Sequence, residues 1–153
     1  MAGTRNDSEE YHNGFLLASH GPLAPGALRS AELIVGELAP EQVSVLQLDP
    51  GNDLQLFEKQ MRTTVEQLLV HNDHVIIVTD LLGGTPNNVA SKIFLTNQQV
   101  ELVTGLNLGL LLELFAKKDT RIVLDAVVAA AQKAIRNMNE LRQTDKQEAE
   151  GWL

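Results

Sequence analysis

The sequence predicts an α/β domain: a small open parallel sheet flanked by helices. Short apolar runs alternate along the chain with longer segments of helical periodicity, and the run HVIIVT (74–79) is apolar nearly throughout, like a strand covered on both faces. Alternation of this kind gives parallel strands joined by right-handed crossovers. We expect the strand order 2-1-3-4, with room for a fifth, antiparallel edge strand.

Four short runs are predicted as strands. Each is apolar or rich in β-branched residues, and turn formers or helical segments separate them. They are GFLLAS (14–19), QVSVLQL (42–48), HVIIVT (74–79) and QVELVT (99–104).

The first two helices are predicted from apolar residues at helical spacing. In GALRSAELIVGEL (26–38), one face consists of Leu28, Ala31, Val35 and Leu38. The segment LQLFEKQMRTTVEQLLV (54–70) follows the turn DPGND, where either Asn52 or Asp53 is placed to cap the helix. Its apolar stripe consists of Leu54, Phe57, Met61, Val65 and Leu68.

Three more helices are predicted in the second half of the chain. For NNVASKIFL (87–95), Thr85 is the expected cap and Pro86 the first helical position. GLNLGLLLELFAKK (105–118) gives a loop and a helix. Asp119 or Thr120 is placed to cap the last helix. The apolar positions of that helix are Leu124, Val128, Ala131, Ile135 and Met138.

The chain divides into a flexible leader (1–13), a single α/β domain (14–142) and a polar tail (143–153). The leader is polar and lacks the apolar core of a signal peptide, and no apolar run approaches the length of a membrane span. Direct membrane insertion is therefore not expected. The chain has no cysteine, so it offers neither a disulfide framework nor thiol chemistry.

The charge of the chain restricts its partners. With 12 basic and 20 acidic side chains the formal net charge is −8. Nucleic-acid binding is not expected, because contacts of basic side chains to phosphates supply most of that affinity. The same charge favours encounter with a basic patch on a protein partner.

The predicted topology indicates where a site should lie. Open α/β sheets bind ligands beyond the carboxyl ends of their strands, where the strand order reverses. In the order 2-1-3-4 this point lies between the first and third strands. The loops that follow these strands contain Ser19-His20-Gly21 and the segment from Asp80 to Thr85.

His20 and Asp80 each come at or just after the end of a strand, so their side chains can meet. A histidine in this position can act as a base, a metal ligand or a nucleophile. A carboxylate that accepts a hydrogen bond from one ring nitrogen fixes the tautomer and leaves the other nitrogen as a nucleophile. It also stabilises the cation formed on attack.

The segment GGTP adds a site for an anion. Gly83 and Gly84 allow the backbone to approach a ligand closely, and Thr85 and Pro86 begin a helix whose free amides favour phosphate. The hydroxyls of Ser19 and Thr85 are further candidate contacts. A nucleophilic imidazole, an orienting carboxylate and an anion cradle together suggest phosphoryl transfer through a phosphohistidine.

Other candidate residues are weaker. His71 and His74 have a spacing that suits a metal ion, but no carboxylate or cysteine cluster accompanies them, so neither a metal site nor a cofactor is predicted. His12 falls in the leader and is expected to be solvated. Asn107 is expected either to shape the rim of the site or to cap a helix.

Three segments carry a family resemblance: ASHGPLAPGALRSAELIVGE, VIIVTDLLGGTPNNVA and VELVTGLNLGLLLEL. They occur in the same order as in the IIA component of the mannose family of the bacterial phosphoenolpyruvate-dependent sugar phosphotransferase system, which the chain resembles from Gly14 to about Ala116.

The resemblance implies roles for individual residues. His20 would accept a phosphoryl group on Nε2 from the phosphocarrier protein HPr and pass it to a IIB component, while Asp80 would hold Nδ1. Gly83, Gly84 and Thr85 would line the phosphate pocket, and the side chain of Asn88 matches a structural asparagine of the family. The phosphoryl-binding set expected from residues and resemblance together is Ser19, Gly83, Gly84 and Thr85.

The resemblance also implies an assembly. Family members are typically cytoplasmic homodimers that associate peripherally with a membrane sugar permease complex and exchange a C-terminal strand. The exchanged strand would lie near Ile135 to Leu141, but AIRNMNEL alternates poorly and is better interpreted as a continuation of the last helix. Because the sequence ends at Leu153, the IIB partner is expected to be a separate chain.

Two features remain open to other interpretations. Pro22, Leu23 and Leu82 flank the predicted site as apolar loop residues, suited either to partner docking or to ordinary loop packing.

The chain could also be the phosphocarrier subunit of a dihydroxyacetone kinase, or a regulatory module that binds an anion without forming a covalent bond. A histidine phosphatase ranks below these, because Ser19 rather than arginine precedes His20.

Overall fold

Four parallel strands form the centre of the molecule in the order β2-β1-β3-β4, as the sequence predicts. The structure is a computed structural model that describes residues 10–143 and 146–151. The strands are β1 (Asn13–His20), β2 (Val43–Leu48), β3 (His74–Thr79) and β4 (Val100–Thr104). The helices are α1 (Leu23–Val35), α2 (Leu54–His71), α3 (Thr85–Phe94), α4 (Leu108–Ala116), α5 (Leu124–Lys133) and α6 (Lys146–Glu150), with a 3₁₀ turn at Met138–Gln143.

The sheet separates two apolar layers, because alternate residues of a strand point to opposite faces. Phe15 and Leu17 of β1 pack in the layer of α1, α4 and α5. Leu16 and Ala18 pack in the layer of α2 and α3. The same alternation at the end of β1 directs Ser19 and His20 to different faces, which matters for the site.

The structure corrects the prediction for α1. The helix begins at Leu23 and ends at Val35, whereas the sequence pattern predicts residues 26–38. Gly36 follows with φ of +90°, a backbone conformation that favours glycine and ends the helix. Val35, the last residue of the helix, is exposed. Leu38 is buried, although it lies beyond the end of the helix.

The capping residues are partly as predicted. Asp53 caps α2 by accepting hydrogen bonds from the backbone amides of Gln55 and Leu56. Of the predicted α2 stripe, Leu54 is exposed and the other four residues are buried. Gly84 rather than Thr85 is the N-terminal cap of α3, so Thr85 is its first residue.

The C-terminal part of the domain differs most from the prediction. Val123, not Asp119 or Thr120, precedes α5, and this helix ends at Lys133 instead of continuing through 134–141. The spacing of Ile135 is helical, but its side chain is 72% exposed, so no buried face extends the helix. Within the described residues the sheet has four strands, and residues 138–143 form a 3₁₀ turn rather than a fifth strand.

Both ends of the chain lie partly outside the description. Positions 1–9 of the predicted leader and positions 144, 145, 152 and 153 of the predicted tail lie outside the described residues. His12 and Asn13, at the end of the predicted leader, are hydrogen-bonded to the domain: Asp73 N–H donates to the His12 carbonyl, and Asn13 Nδ2 donates to the Lys118 carbonyl. Among the described helices, none has the length and apolar character needed to cross a bilayer.

Candidate functional site

His20 and Asp80 lie side by side at the carboxyl ends of β1 and β3. Both hydrogen bonds between them use the same carboxylate oxygen: His20 Nδ1 and the His20 backbone nitrogen each lie 2.9 Å from Asp80 Oδ2. The His20 side chain is 47% exposed, while that of Asp80 is 9% exposed. The pair therefore presents an accessible ring on a largely buried carboxylate.

The protonation of this pair follows from its geometry. Burial raises the pKa of Asp80, but the hydrogen bonds from the backbone and ring of His20, and the charge of that ring, lower it by more. The pKa of Asp80 is thus below its usual range, and the group is a carboxylate that only accepts hydrogen bonds. Nδ1 of His20 must then carry the hydrogen, and in the neutral ring Nε2 carries the free lone pair.

Gly84 fits closely against the ring of His20. A Cβ atom added to Gly84 would lie 2.7 Å from His20 Cε1 and 3.5 Å from Nε2. A residue with a side chain would displace the imidazole, so glycine is required here by contact rather than by backbone conformation. Gly83 is different, because its φ of +79° favours glycine and no atom would crowd a Cβ there.

Backbone amides on either side of Gly84 lie at the start of α3. The Gly84 amide donates to the Leu81 carbonyl, so it is not free for a ligand. Within the described residues the backbone amides of Gly83 and Thr85 have no hydrogen-bond partner. Asn88 Nδ2 donates to the Gly83 carbonyl and so links α3 to the loop. Free amides at a helix N-terminus suit an anion.

Ser19, which the sequence suggests as a phosphate contact, is turned away from the site. Its side chain is buried, and its hydroxyl donates to the Gly21 carbonyl at 3.0 Å and accepts from the Ala24 amide at 2.8 Å. Strand alternation places it on the α1 side of the sheet. The structure thus does not bring Ser19 to the ring of His20, and its contacts fix the turn into α1.

Exposed apolar side chains surround the site. Pro22, Leu23 and Leu82 are all exposed, with Leu82 at 76%. Leu81, which the sequence analysis did not single out, is also exposed. Large apolar residues at this density around a reactive group suit contact with another protein.

Sequence reasoning missed a polar cluster under the site. The Thr79 hydroxyl donates to Asn87 Oδ1 at 2.9 Å and lies 3.0 Å from the Thr104 hydroxyl. Thr79 and Asn87 are both buried. The available signal was a threonine that ends an otherwise apolar strand, together with a second asparagine beside Asn88.

The remaining histidines do not form a metal site within the described residues. His74 Nε2 lies 2.7 Å from Glu101 Oε1, and His12 lies near Glu10 and Asp119. In residues 10–143 and 146–151, no three histidine, aspartate or glutamate side chains are arranged to hold a metal ion. Asn107 caps α4 by accepting from the Leu110 amide.

Comparison with protein families matches residues 14–132 to the family EIIA-man, described as the PTS system fructose IIA component. The matched region covers most of the chain. It includes His20 and the whole loop from Asp80 to Thr85.

Two curated proteins are examples of the similar relatives. The mannose-specific EIIAB component of the PTS system of Escherichia coli (strain K12) is 28% identical over 116 residues, which are 76% of this chain and 35% of that protein. The chain thus spans about a third of the length of this relative. The sorbose-specific EIIA component of Klebsiella pneumoniae is 30% identical over 107 residues, 69% of this chain and 74% of that one.

The fold is shared with solved structures. The PTS IIA protein associated with the fucose utilization operon from Streptococcus pneumoniae matches with a TM-score of 0.82 at 43% identity, covering 85% of this chain and 96% of that one. A mannose/sorbose-specific IIA subunit from Enterococcus faecalis matches with a TM-score of 0.72 at 26% identity, covering 82% and 94%.

Proposed function

The chain belongs to the EIIA-man family of phosphotransferase-system IIA components, and from that premise we propose that it is a phosphohistidine carrier. It accepts a phosphoryl group from HPr on His20 and passes it to a IIB component, in support of sugar uptake. The observation that carries the proposal is the pairing of His20 Nδ1 with Asp80 Oδ2 at 2.9 Å, because this bond leaves Nε2 as the nucleophile.

The transfer exchanges one phosphorus–nitrogen bond for another. The bond between phosphorus and the donor's ring nitrogen breaks as the bond between phosphorus and His20 Nε2 forms. The hydrogen on His20 Nδ1 stays in place, so the phosphorylated ring is cationic, and the Asp80 carboxylate stabilises that charge. In the transfer to IIB, the bond between phosphorus and His20 Nε2 breaks as a bond between phosphorus and the acceptor atom of IIB forms. His20 is then the leaving group.

Positioning and electrostatics supply the catalysis in this proposal. The moving phosphoryl group carries negative charge on its three equatorial oxygens. The amides of Gly83 and Thr85, the Thr85 hydroxyl and the N-terminus of α3 adjoin Gly84 in the chain and are suited to these oxygens. Gly84 contributes by its small size, which lets the ring of His20 lie against the backbone.

The partners dock over the exposed ring. Pro22, Leu23 and Leu82 supply apolar contact around His20, and the acidic net charge of −8 favours a donor with a basic face. We include in the proposal a cytoplasmic location, peripheral association with the permease complex and a homodimer. Family membership supports these three statements. The division of the chain into leader, domain and tail also stays a prediction.

The intact mass of the chain tests the proposal, after incubation with phosphoenolpyruvate, enzyme I and HPr. We expect one added phosphoryl group that acid removes and base spares. The His20→Ala variant should not acquire it, while a His71→Ala variant should. No added mass, with HPr shown to be phosphorylated, would leave an anion-binding module or a dihydroxyacetone-kinase subunit as the better account.

A further inference from the structure

The polar cluster of buried Thr79 and Asn87 with half-buried Thr104 has no role in the transfer chemistry described above. The Thr79 hydroxyl has one hydrogen, which serves Asn87 Oδ1 at 2.9 Å. The Thr104 hydroxyl is therefore the donor in the 3.0 Å contact between the two threonines. Thr79 is completely buried and Asn87 nearly so. Polar groups in an apolar layer need a reason, because leaving such a group unpaired costs stability and pairing it gains little.

The position of the cluster suggests that reason. Thr79 immediately precedes Asp80, and Asn87 lies in the first turn of α3, two residues after Thr85. Their hydrogen bond thus closes the base of the loop 80–84, which carries the orienting carboxylate at one end and the glycine contact at the other. The residues of this loop that the proposed phosphoryl site uses all lie between Thr79 and Asn87 in the chain. They are Asp80, Gly83, Gly84 and Thr85.

A second set of bonds fixes the same point to β4. The Thr79 carbonyl accepts hydrogen bonds from the backbone amides of Gly105 and Leu106, each at 3.0 Å. Thr79 and Thr104 are direct neighbours in the β3–β4 register. The strand end that leads into Asp80 is consequently held from both sides, by α3 through Asn87 and by the β4 turn.

The ring of His20 makes this spacing critical. Asp80 Oδ2 holds one side of the imidazole at 2.9 Å, and Gly84 approaches its Cε1 edge so closely that a Cβ would not fit. Widening the loop breaks one contact, and narrowing it causes a clash. The separation of residues 80 and 84 therefore sets the orientation of the ring.

We propose that Thr79 and Asn87 are positioning residues for phosphoryl transfer: their hydrogen bond fixes the loop 80–84 and through it the orientation and tautomer of His20. The claim about transfer rests on the proposed function, whereas the claim about the ring does not. An apolar pair of similar shape could fill the same volume at little cost in stability. Packing alone therefore does not account for these side chains.

The test compares Thr79→Val, Asn87→Leu and the double variant. The double variant removes both partners of the 2.9 Å bond and leaves only the half-buried Thr104 hydroxyl without its contact to Thr79, so it is the one most able to fold. Thr79→Ser keeps the hydroxyl and should leave the orientation of the His20 ring unchanged. Asn13→Leu is the matched control, because Asn13 is also buried and donates to the Lys118 and Thr120 carbonyls, but lies at the far end of β1. Thermal unfolding of each variant checks that it is folded at the assay temperature.

Two readouts separate positioning from general destabilisation. In the double variant we expect the maximal rate of transfer from phosphorylated HPr to fall by roughly 10-fold, as for a reacting group displaced by a fraction of an ångström. The half-saturating HPr concentration should stay unchanged. The ¹⁵N NMR signals of His20 should show loss of the tautomer with hydrogen on Nδ1, while Asn13→Leu and Thr79→Ser keep the wild-type rate and signals.

A folded double variant with wild-type tautomer populations and a maximal rate within twofold of wild type would overturn the inference. If the wild-type chain accepts no phosphoryl group, the proposed function fails. In that case the NMR comparison alone decides whether Thr79 and Asn87 orient the ring, since it needs no donor protein.

Discussion

One oxygen of Asp80 accepts two hydrogen bonds from His20, one from ring Nδ1 and one from the backbone amide, each at 2.9 Å. The backbone bond fixes the carboxylate relative to the end of β1, and the ring bond fixes the imidazole relative to the carboxylate. The orientation of the nucleophile is thereby set by main-chain geometry.

Asp80→Asn should remove the charge that supports the His20 ring. The amide oxygen can replace Oδ2 and accept from both the backbone nitrogen and Nδ1 of His20, but it is neutral and no longer stabilises the cation that forms on phosphorylation. We expect the rate of phosphoryl transfer to fall on the order of 100-fold or more, with the fold intact by circular dichroism. Transfer at the wild-type rate would show that the Asp80 charge does not support the transfer.

Asp80 should also give the protein a defined pH dependence. Its pKa is lowered from an ordinary value of 3.8, so its contribution to folding stability is present above about pH 4 and is lost as the pH falls through the lower, folded-state pKa. The difference in unfolding free energy between the wild type and Asp80→Asn should shrink as the pH falls below about 4. A difference that did not shrink there would contradict the assignment.

Gly84→Ala should abolish transfer through steric displacement of the ring. The added Cβ would lie 2.7 Å from His20 Cε1 and 3.2 Å from the Leu81 carbonyl oxygen. Gly26→Ala is the matched control, because Gly26 lies in α1 with no atom near the added Cβ. That control should transfer normally and gain up to about 1 kcal/mol of stability. Normal transfer by Gly84→Ala would show that the contact is dispensable.

Leu82→Ser should weaken the encounter with the phosphoryl donor. Truncating an exposed apolar contact raises the half-saturating HPr concentration, by roughly 5-fold for a contact worth about 1 kcal/mol. Leu95 has a similar exposure, 74% against 76%, but follows α3 at its far end, so Leu95→Ser should change nothing. Equal effects of both substitutions would place Leu82 outside the docking surface.

Ser19→Ala distinguishes a structural serine from a phosphate contact. Loss of the bonds to the Gly21 carbonyl and the Ala24 amide should lower the unfolding free energy by about 1–3 kcal/mol. The maximal transfer rate per folded molecule should stay near that of the wild type. A large loss of rate at unchanged stability would return Ser19 to the phosphate pocket.

The sequence predicts the sheet better than the ends of the helices. For β3 the predicted and observed bounds agree at 74–79, because an apolar run with covered faces has few alternatives. For α5 the pattern extends too far. Helical spacing counts Ile135 as an apolar position, but it does not indicate whether any neighbouring element covers that side chain.

The candidate site also has a part that the sequence predicts and a part that it does not. Topology alone brings the ends of β1 and β3 together, so the approach of His20 to Asp80 is predictable from element order. The role of Gly84 depends on a backbone-to-ring distance, and that of Thr79 and Asn87 on a buried contact between a strand and the next helix. Neither distance follows from spacing or composition, so only the structure shows these contacts.

The position of the phosphoryl group on the ring tests the central claim most directly. The measurement is ¹⁵N and ³¹P NMR of histidine-labelled protein after phosphorylation by enzyme I and HPr. The account predicts ¹⁵N–³¹P coupling at Nε2 of His20, with a hydrogen retained on Nδ1. Coupling at Nδ1, or at His12, His71 or His74, would contradict it, because the contact of Nδ1 with Asp80 would then not direct the chemistry.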